Sequence, residues 1–202
     1  ALPTLYKKHG VPYMYDPGQN IIALSGAQLR QGISGAKVFI SNDYELSLVL
    51  KKTGWKKRQL LARVPIVVTT LGEKGSVIEV SPRTVILNEA KRSEESRTNV
   101  RRSRIRERPF ASLRMTNGRF AIPPAKPKNT SDPTGAGDAY RAGFIKGLLL
   151  GLPFDKVGKL ASVVSVYTVE KYGTQTHSFS WAGLMKRYKE NYGEHLLMEA
   201  VN

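Results

Sequence analysis

Apolar and polar positions alternate along this 202-residue chain in patterns typical of strands and helices. Three short apolar runs each predict a buried strand: residues 11–15, 36–40 and 65–72. Helical spacing occurs between and after them, at residues 25–33, 42–54 and 56–63. In the second of these helices, Asn42 or Asp43 can cap the start and Gly54 can cap the end. A fourth strand pattern at residues 76–80 begins a predicted hairpin.

The C-terminal part of the chain carries three more helical patterns, at residues 139–151, 154–173 and 180–193. The last two end at a glycine, and a short helix is also expected before the first strand. Strands followed by crossover helices predict an α/β layered fold with a mainly parallel sheet. Because a chain of this length can bury one core, we interpret residues 1–202 as a single domain.

Residues 82–118 interrupt this regular pattern. They are rich in Arg, Ser, Asn and Glu and keep no apolar period, while the segments on either side would join as an ordinary hairpin without them. We therefore interpret 82–118 as an irregular Arg-rich insertion in a hairpin loop. A nucleic-acid-binding arm is the functional alternative. It is the less favoured one, because the arginines are not interleaved with a row of aromatic stacking platforms.

Composition narrows the function classes. The net charge is +16, and residues 83–119, with 11 Lys/Arg and 4 Asp/Glu, supply 7 of those charges. The absence of cysteine excludes a disulfide, a thiolate nucleophile and a zinc–thiolate site. The apolar runs are too short to span a membrane, and the first ten residues lack the apolar core of a signal peptide. A cytoplasmic protein without a membrane partner is expected.

The stretch TSDPTGAGDAYRAGF, residues 130–144, holds the candidate chemistry. Gly135, Ala136 and Gly137 directly precede a helical pattern, and Asp138 falls in its first turn. The first turn of a helix offers unpaired N–H groups and a partial positive charge to an anion, and small residues let a phosphate approach the backbone. Asp138 can then cap the helix, or it can accept a proton from a hydroxyl that attacks a phosphoryl group.

The string DPTGAGDAYRAGF closely resembles the C-terminal signature of the PfkB family of sugar and nucleoside kinases, whose fold is ribokinase-like. Residues 42–45 (NDYE) match that family's N-x-x-E motif, and residues 70–75 (TLGEKG) match its T-x-G-x-x-G turn. The segment VEKYGTQTHSFSW, with KENYGE after it, is most similar to the bacterial and archaeal adenosine or nucleoside kinase branch. The resemblance covers the chain outside 82–118 and implies a three-layer ribokinase-like fold.

The resemblance also implies a role for each matching residue. Asp138 would be the general base, and Gly135, Ala136 and Gly137 would form the anion hole for the transferring phosphoryl group. Asn42 and Glu45 would organise Mg²⁺ and the ATP phosphates, partly through water. The remaining assignments are nucleotide contacts from Thr70, Gly72 and Gly75, an adenine contact near Ser162, and a monovalent cation such as K⁺ near Asp132, Thr134 and Gly173.

Structural alternatives stay open for several of these residues. Asn42 can be a helix cap alone, Gly72 and Gly75 can be plain turn residues, and Asp138 can be a cap.

Family members begin with a longer N-terminal part that carries a Gly-Gly-x-x-x-Asn substrate motif and a β-sheet lid, and nothing in this chain matches either. We therefore expect a partial kinase domain that keeps the ATP half and the base but lacks much of the acceptor half. Missing strands would leave an unpaired sheet edge that favours self-association, with a homodimer as one outcome.

Three functions follow from the sequence. The first is ATP-dependent transfer of a phosphoryl group to a hydroxyl of a small molecule, either an adenosine-like nucleoside or a sugar. The second is an inactive kinase remnant that only binds nucleotide, and the third is a basic nucleic-acid-binding protein. The sequence favours the first, with nucleic acid an unlikely partner.

Overall fold

The computed structural model describes residues 2–81 and 118–196. The helices of this part, numbered in chain order, are α1 (Leu2–Lys8), α2 (Gly26–Ile33), α3 (Asp43–Thr53), α4 (Lys57–Leu61), α5 (Ala136–Leu149), α6 (Phe154–Val169) and α7 (Trp181–Tyr192). The strands are β1 (Met14–Tyr15), β2 (Val38–Asn42), β3 (Ile66–Thr70), β4 (Ser76–Val80) and β5 (Gly118–Ile122). Short 3-10 helices cover Gly18–Ile22 and Gly72–Lys74.

The five strands form one sheet in the order β1-β2-β3-β4-β5. β1 pairs with β2 and β2 with β3, both in parallel, and the second register runs from Val38 opposite Ile66 to Asn42 opposite Thr70. The α/β prediction and its parallel pairing are therefore confirmed. The first strand is shorter than predicted, since only Met14 and Tyr15 of residues 11–15 are paired.

Contacts divide the chain into two compact units. The first unit is Ala1–Gly72 with Val77–Phe120, and the second unit is Glu73–Ser76 with Ala121–Asn202. The single-domain interpretation stays a prediction. The predicted insertion lies outside the described residues except for Gly118, which is the first residue of β5. Within the described ranges, no helix is long and apolar enough to cross a membrane.

The first unit has its core on the face of β2 and β3 that carries Phe39 and Val67. Both side chains are fully buried, together with Leu29, Ile33, Val49 and Leu60 from α2, α3 and α4. Burying an aliphatic or aromatic side chain of this size stabilises a fold by roughly 1.5–3 kcal/mol. The helical spacing predicted for α2, α3 and α4 places these apolar residues on one face of each helix.

Polar contacts fix the edges of the first unit. The Lys52 ammonium group, at the end of α3, donates to the carbonyl oxygens of Ile21, Ile22 and Leu24 at 2.6, 2.7 and 2.9 Å. Three short bonds from one cation tie the segment around the first 3-10 helix to α3. Charged donors make such bonds stronger than neutral ones.

The second unit is built on close packing of α5 against α6. A Cβ atom on Gly143 would lie 2.8 Å from Ala161 Cα, and one on Gly147 would lie 3.1 Å from Val157 Cα. Glycines spaced one turn apart therefore let the two helix backbones approach closely. The ends of the two helices differ from prediction: α5 begins at Ala136, so Ala136 and Gly137 are helical, and α6 ends at Val169 rather than at Gly173.

An ion pair joins α7 to the end of α6. The guanidinium of Arg187 binds both carboxylate oxygens of Glu170, and the Nη1–Oε2 distance is 2.7 Å. The side chains are only 6% and 12% exposed. Arg187 also lies over the Tyr167 ring, 4.6 Å from its centroid. This pair fixes the position of α7, which lies within the predicted range 180–193 with Ser180 and Gly193 as its caps.

Candidate functional site

The N-terminus of α5 is shaped by Gly135. Its φ of +85° is a left-handed conformation that side-chain-bearing residues rarely adopt. A Cβ here would also lie 3.1–3.3 Å from the Cβ, Cγ2 and Cα atoms of Thr174, so the segment after α6 packs directly against this turn. Glycine is needed at position 135 for both reasons.

Backbone N–H groups at this helix start are open to a ligand. In the described ranges, the N–H groups of Gly137 and Asp138 donate no hydrogen bond to a backbone carbonyl. The N–H of Ala136, by contrast, donates to the Pro133 carbonyl at 3.1 Å, and it would have to leave that bond to bind an anion. A Cβ on Gly137 would meet nothing within 4 Å, so the helix surface there is uncrowded.

Asp138 lies in the first turn of α5, and its side chain is 76% exposed. Its Oδ1 atom accepts a hydrogen bond from Nη2 of Arg141, one turn later on the same helix. The guanidinium is partly buried, and this burial lowers the pKa of Arg141. The carboxylate is therefore accessible, with one oxygen engaged.

The residues assigned to a monovalent cation lie together in the second unit. One carboxylate oxygen of Asp132 accepts from the Thr134 N–H at 2.8 Å, and the other accepts from the Gly173 N–H at 3.1 Å. Hydrogen bonds from Thr134, first its side chain and then its amide, and from Gly173 hold the pKa of Asp132 below its ordinary value. The carboxylate thus joins the start of the 132–138 segment to the turn after α6. Its cation role stays a prediction.

Asn42 and Glu45 form a capping box at the start of α3. The Glu45 N–H donates to Asn42 Oδ1 at 2.7 Å, and the Asn42 N–H donates to Glu45 Oε2 at 3.0 Å. Such a box satisfies two backbone donors that a helix start leaves unpaired. Asn42 and Glu45 therefore do cap α3, as the structural alternative holds. Any ligand role of this pair would be additional to the cap.

The predicted nucleotide-binding residues of the first unit lie at the carboxyl ends of β2 and β3. Thr70 ends β3 directly opposite Asn42 in the parallel register. Gly72 follows in the short 3-10 helix, where a Cβ would meet nothing within 4 Å. Ligands of open α/β sheets bind outside the carboxyl ends of the strands, which is where these residues lie.

Gly75 and Ser162 are held by packing within the second unit. A Cβ on Gly75 would lie 2.1 Å from the Ile122 carbonyl oxygen, which only glycine avoids. Ser162 is 7% exposed, and its Oγ accepts a hydrogen bond from the Ala125 N–H at 2.8 Å. Both residues therefore have structural roles in this fold, and their nucleotide contacts stay predictions.

The donor set suits Mg²⁺ bound to a polyphosphate more than a cage of protein ligands. In the described ranges, no group of three or more His, Asp or Glu side chains could hold a metal ion. Mg²⁺ in phosphoryl-transfer sites keeps several waters and uses one or two carboxylates together with the phosphates. The half-buried Glu45 of the first unit is a carboxylate of this kind.

Comparison with known proteins shows which kinases this chain is similar to. Residues 110–181 match the model of the pfkB family carbohydrate kinases. A nucleoside kinase of Methanothermobacter thermautotrophicus is 27% identical over 180 residues, which are 89% of this chain and 46% of that protein. The structure of Burkholderia thailandensis nucleoside kinase in complex with ADP-inosine matches 96% of this chain and 50% of its own, with 28% identity and a TM-score of 0.76.

The resemblance to the pfkB kinases is confirmed. So is the ribokinase-like fold, because the nucleoside kinase of Methanocaldococcus jannaschii, an archaeal member of the ribokinase family, matches 89% of this chain with a TM-score of 0.69. The chain spans about half the length of the relatives it matches. The pfkB match includes the candidate residues from Asp132 to Gly173, and it does not include those of the first unit.

Some contacts around the pfkB segment were not predicted from the sequence. The i,i+3 spacing of Asp138 and Arg141 is a signal that could have shown their contact. The packing of Thr174 on Gly135 joins residues about forty positions apart, and no local pattern indicates it.

Proposed function

We propose that this chain carries the ATP half of a phosphotransferase that moves the γ-phosphoryl group of ATP to a hydroxyl of a nucleoside or sugar. The supporting observation is the pair of unpaired amides, Gly137 and Asp138, beside an exposed carboxylate at the start of α5. Preorganised N–H donors that face a developing negative charge typically contribute several kcal/mol to catalysis. The nucleoside kinases among the relatives also support the proposal.

In the proposed reaction, Asp138 accepts the proton of the acceptor hydroxyl. The acceptor oxygen forms a bond to the γ-phosphorus, the bond from that phosphorus to the β–γ bridging oxygen breaks, and ADP leaves with the electron pair. The N–H groups of Gly137 and Asp138 hold charge on the transferring group, and the open Cβ position of Gly137 leaves its approach unobstructed. The proton on Asp138 is then released to solvent.

Asn42, Glu45, Thr70 and Gly72 would bind the rest of Mg·ATP, with Mg²⁺ neutralising charge on the phosphates when bound. Asp132, Thr134 and Gly173 would hold a monovalent cation that stabilises the turn leading into α5. The adenine contact at Ser162 and a cytoplasmic location belong to the same proposal. An adenosine-like acceptor is favoured over a sugar, since relatives matched over most of this chain are nucleoside kinases.

The variant Asp138→Asn tests the base. We expect a 10²–10⁴-fold loss of kcat, the usual contribution of a general base, with little change in the dissociation constant of Mg·ATP. Turnover would be followed by coupled assay with adenosine, inosine, ribose and fructose, and binding by isothermal titration. Asp155→Asn is the matched control, because Asp155 is also an exposed carboxylate in the first turn of a helix. Unchanged turnover in Asp138→Asn would remove Asp138 from the base role.

Two alternatives predict different outcomes. A nucleotide-binding remnant, favoured by the half-length match, would bind Mg·ATP without turnover on any acceptor. A nucleic-acid-binding protein, favoured by the net charge of +16, would bind oligonucleotides with an affinity that falls steeply as salt rises.

A further inference from the structure

A buried hydrogen bond joins two distant segments of the second unit. The hydroxyl groups of Ser76 and Tyr140 lie 2.7 Å apart, although the residues are 64 positions apart in the chain. Both residues are buried, with 2% and 6% of their surfaces exposed. Burial raises the pKa of the Tyr140 phenol, so both partners are neutral hydroxyls and either can donate the proton of this bond. A buried bond of this kind holds its partners in one relative position.

The two ends of this bond lie next to the proposed nucleotide site. Ser76 directly follows Gly75, whose backbone already packs against Ile122 and Pro124. Tyr140 comes two residues after Asp138 in α5. The ring of Tyr140 also stacks on Phe144, with 6.3 Å between the ring centroids, so the ring is held independently of its hydroxyl.

We infer that Tyr140 is a positioning residue of the proposed site: through Ser76 it fixes the turn that ends at Gly75 relative to the first turn of α5. This inference rests on the proposed function, in which the turn and the helix start contact the same nucleotide. Phosphoryl transfer depends mainly on the placement of its reactants, and displacements of about 1 Å can cost on the order of 100-fold in rate. A bond that fixes one nucleotide-binding segment relative to another would therefore affect affinity directly.

The variants Tyr140→Phe, Ser76→Ala and the double variant test the inference. Tyr140→Phe removes only the hydroxyl and keeps the stacked ring. We expect each single variant to weaken Mg·ATP binding about 5- to 10-fold, as the loss of one net hydrogen bond implies. The double variant should bind Mg·ATP no more weakly than either single variant, because each single substitution already removes the same hydrogen bond. Hydrogen exchange of the amides at 73–76 should become faster in each.

Tyr188→Phe is the matched control. Tyr188 is also buried, and its hydroxyl donates to Glu194 at 3.0 Å, a contact that involves none of the proposed nucleotide residues. It should lower the unfolding midpoint without changing Mg·ATP affinity or exchange at 73–76. If Tyr140→Phe behaves in the same way as Tyr188→Phe, the bond is only a stabilising contact and the inference is wrong.

The exchange measurement separates this inference from the proposed function. If the wild-type chain does not bind Mg·ATP, the proposed function fails, and exchange at 73–76 decides the positioning role alone. Faster exchange in both Tyr140→Phe and Ser76→Ala would still support that role, and unchanged exchange would overturn it.

Discussion

At Gly143, α5 lies very close to α6. Its missing side chain leaves room for the backbone of the facing helix at Ala161 and for the Val164 side chain. The first turn of the same helix carries Gly137, where nothing lies within 4 Å of a Cβ position. Two glycines on one helix thus have different physical roles, one in packing and one beside the proposed phosphate site.

Gly143→Ala should destabilise the protein by about 1–3 kcal/mol, because the added methyl would lie 2.8 Å from Ala161 Cα and the helices would have to separate. Urea unfolding monitored by circular dichroism would measure the free energy of unfolding. Gly137→Ala is the control and should leave stability equal or slightly higher, as alanine favours helices. Equal stability of Gly143→Ala and wild type would show that the helices do not pack this closely.

At the scale of elements, the Glu170–Arg187 pair fixes α7 on α6 through buried charges. Glu170→Gln should destabilise the protein by about 3 kcal/mol, because it leaves the Arg187 guanidinium buried without its counter-charge. Glu190→Gln is the control: Glu190 lies 4.0 Å from Lys186, both side chains are exposed, and the loss should be at most about 0.5 kcal/mol. If both variants lose only a similar, small amount of unfolding free energy, the Glu170–Arg187 pair is not effectively buried.

The same pair predicts a pH dependence of stability. Hydrogen bonds from Arg187 lower the pKa of Glu170 below its ordinary value of 4.5. The stabilisation is therefore fully present above about pH 4.5 and is lost as the pH falls through the lowered pKa of the folded state. The difference in unfolding free energy between wild type and Glu170→Gln should stay constant from pH 7 to 5 and shrink below pH 4.5. A difference that grows towards acid pH would contradict this assignment.

Helix boundaries were predictable where their causes are local. Asn42 and Gly54 bound α3 as predicted, because a capping side chain and a left-handed glycine act within their own turn. The end of α6 was missed because the Val169 carbonyl accepts hydrogen bonds from the N–H groups of Ser131 and Asp132, about 37 residues away. The start of α5 was placed late since Gly135 has no side chain to mark a cap.

The candidate site was predictable to a similar degree. The string around Asp138 indicated a helix beginning close to this residue and an accessible carboxylate, because glycine, alanine and a first-turn acid act through the backbone next to them. The partners that fix this string, Thr174 and Ser76, come from other parts of the chain. Their positions depend on tertiary packing, which residue spacing does not encode.

At the scale of the whole molecule, the sheet order suggests that the Arg-rich segment is not needed for folding. β4 and β5 are neighbours in the sheet, and Gly75 just before β4 lies beside Ile122 at the end of β5. The two strands are therefore antiparallel, and a short turn could connect them. Replacing residues 83–117 with such a turn removes 10 Lys/Arg and 4 Asp/Glu and should leave the unfolding midpoint and Mg·ATP affinity unchanged. Differential scanning calorimetry and titration would measure both.

A chain with residues 83–117 shuffled is the control for that replacement. It keeps length and charge, and it should behave like the wild type in both measurements. A loss of cooperative unfolding in the shortened chain alone would show that the segment contributes to the fold. A loss in both variants would show that its specific sequence does.

The Lys52 contacts have a chemical consequence for the first unit. All three protons of this ammonium group face carbonyl oxygens, at Ile21, Ile22 and Leu24. An acyl group on that nitrogen would abolish its charge and leave a single N–H donor, so at least two of these carbonyl oxygens would lose their partner. Acetylation of Lys52 would therefore weaken the attachment of the segment around residues 21–24 to α3.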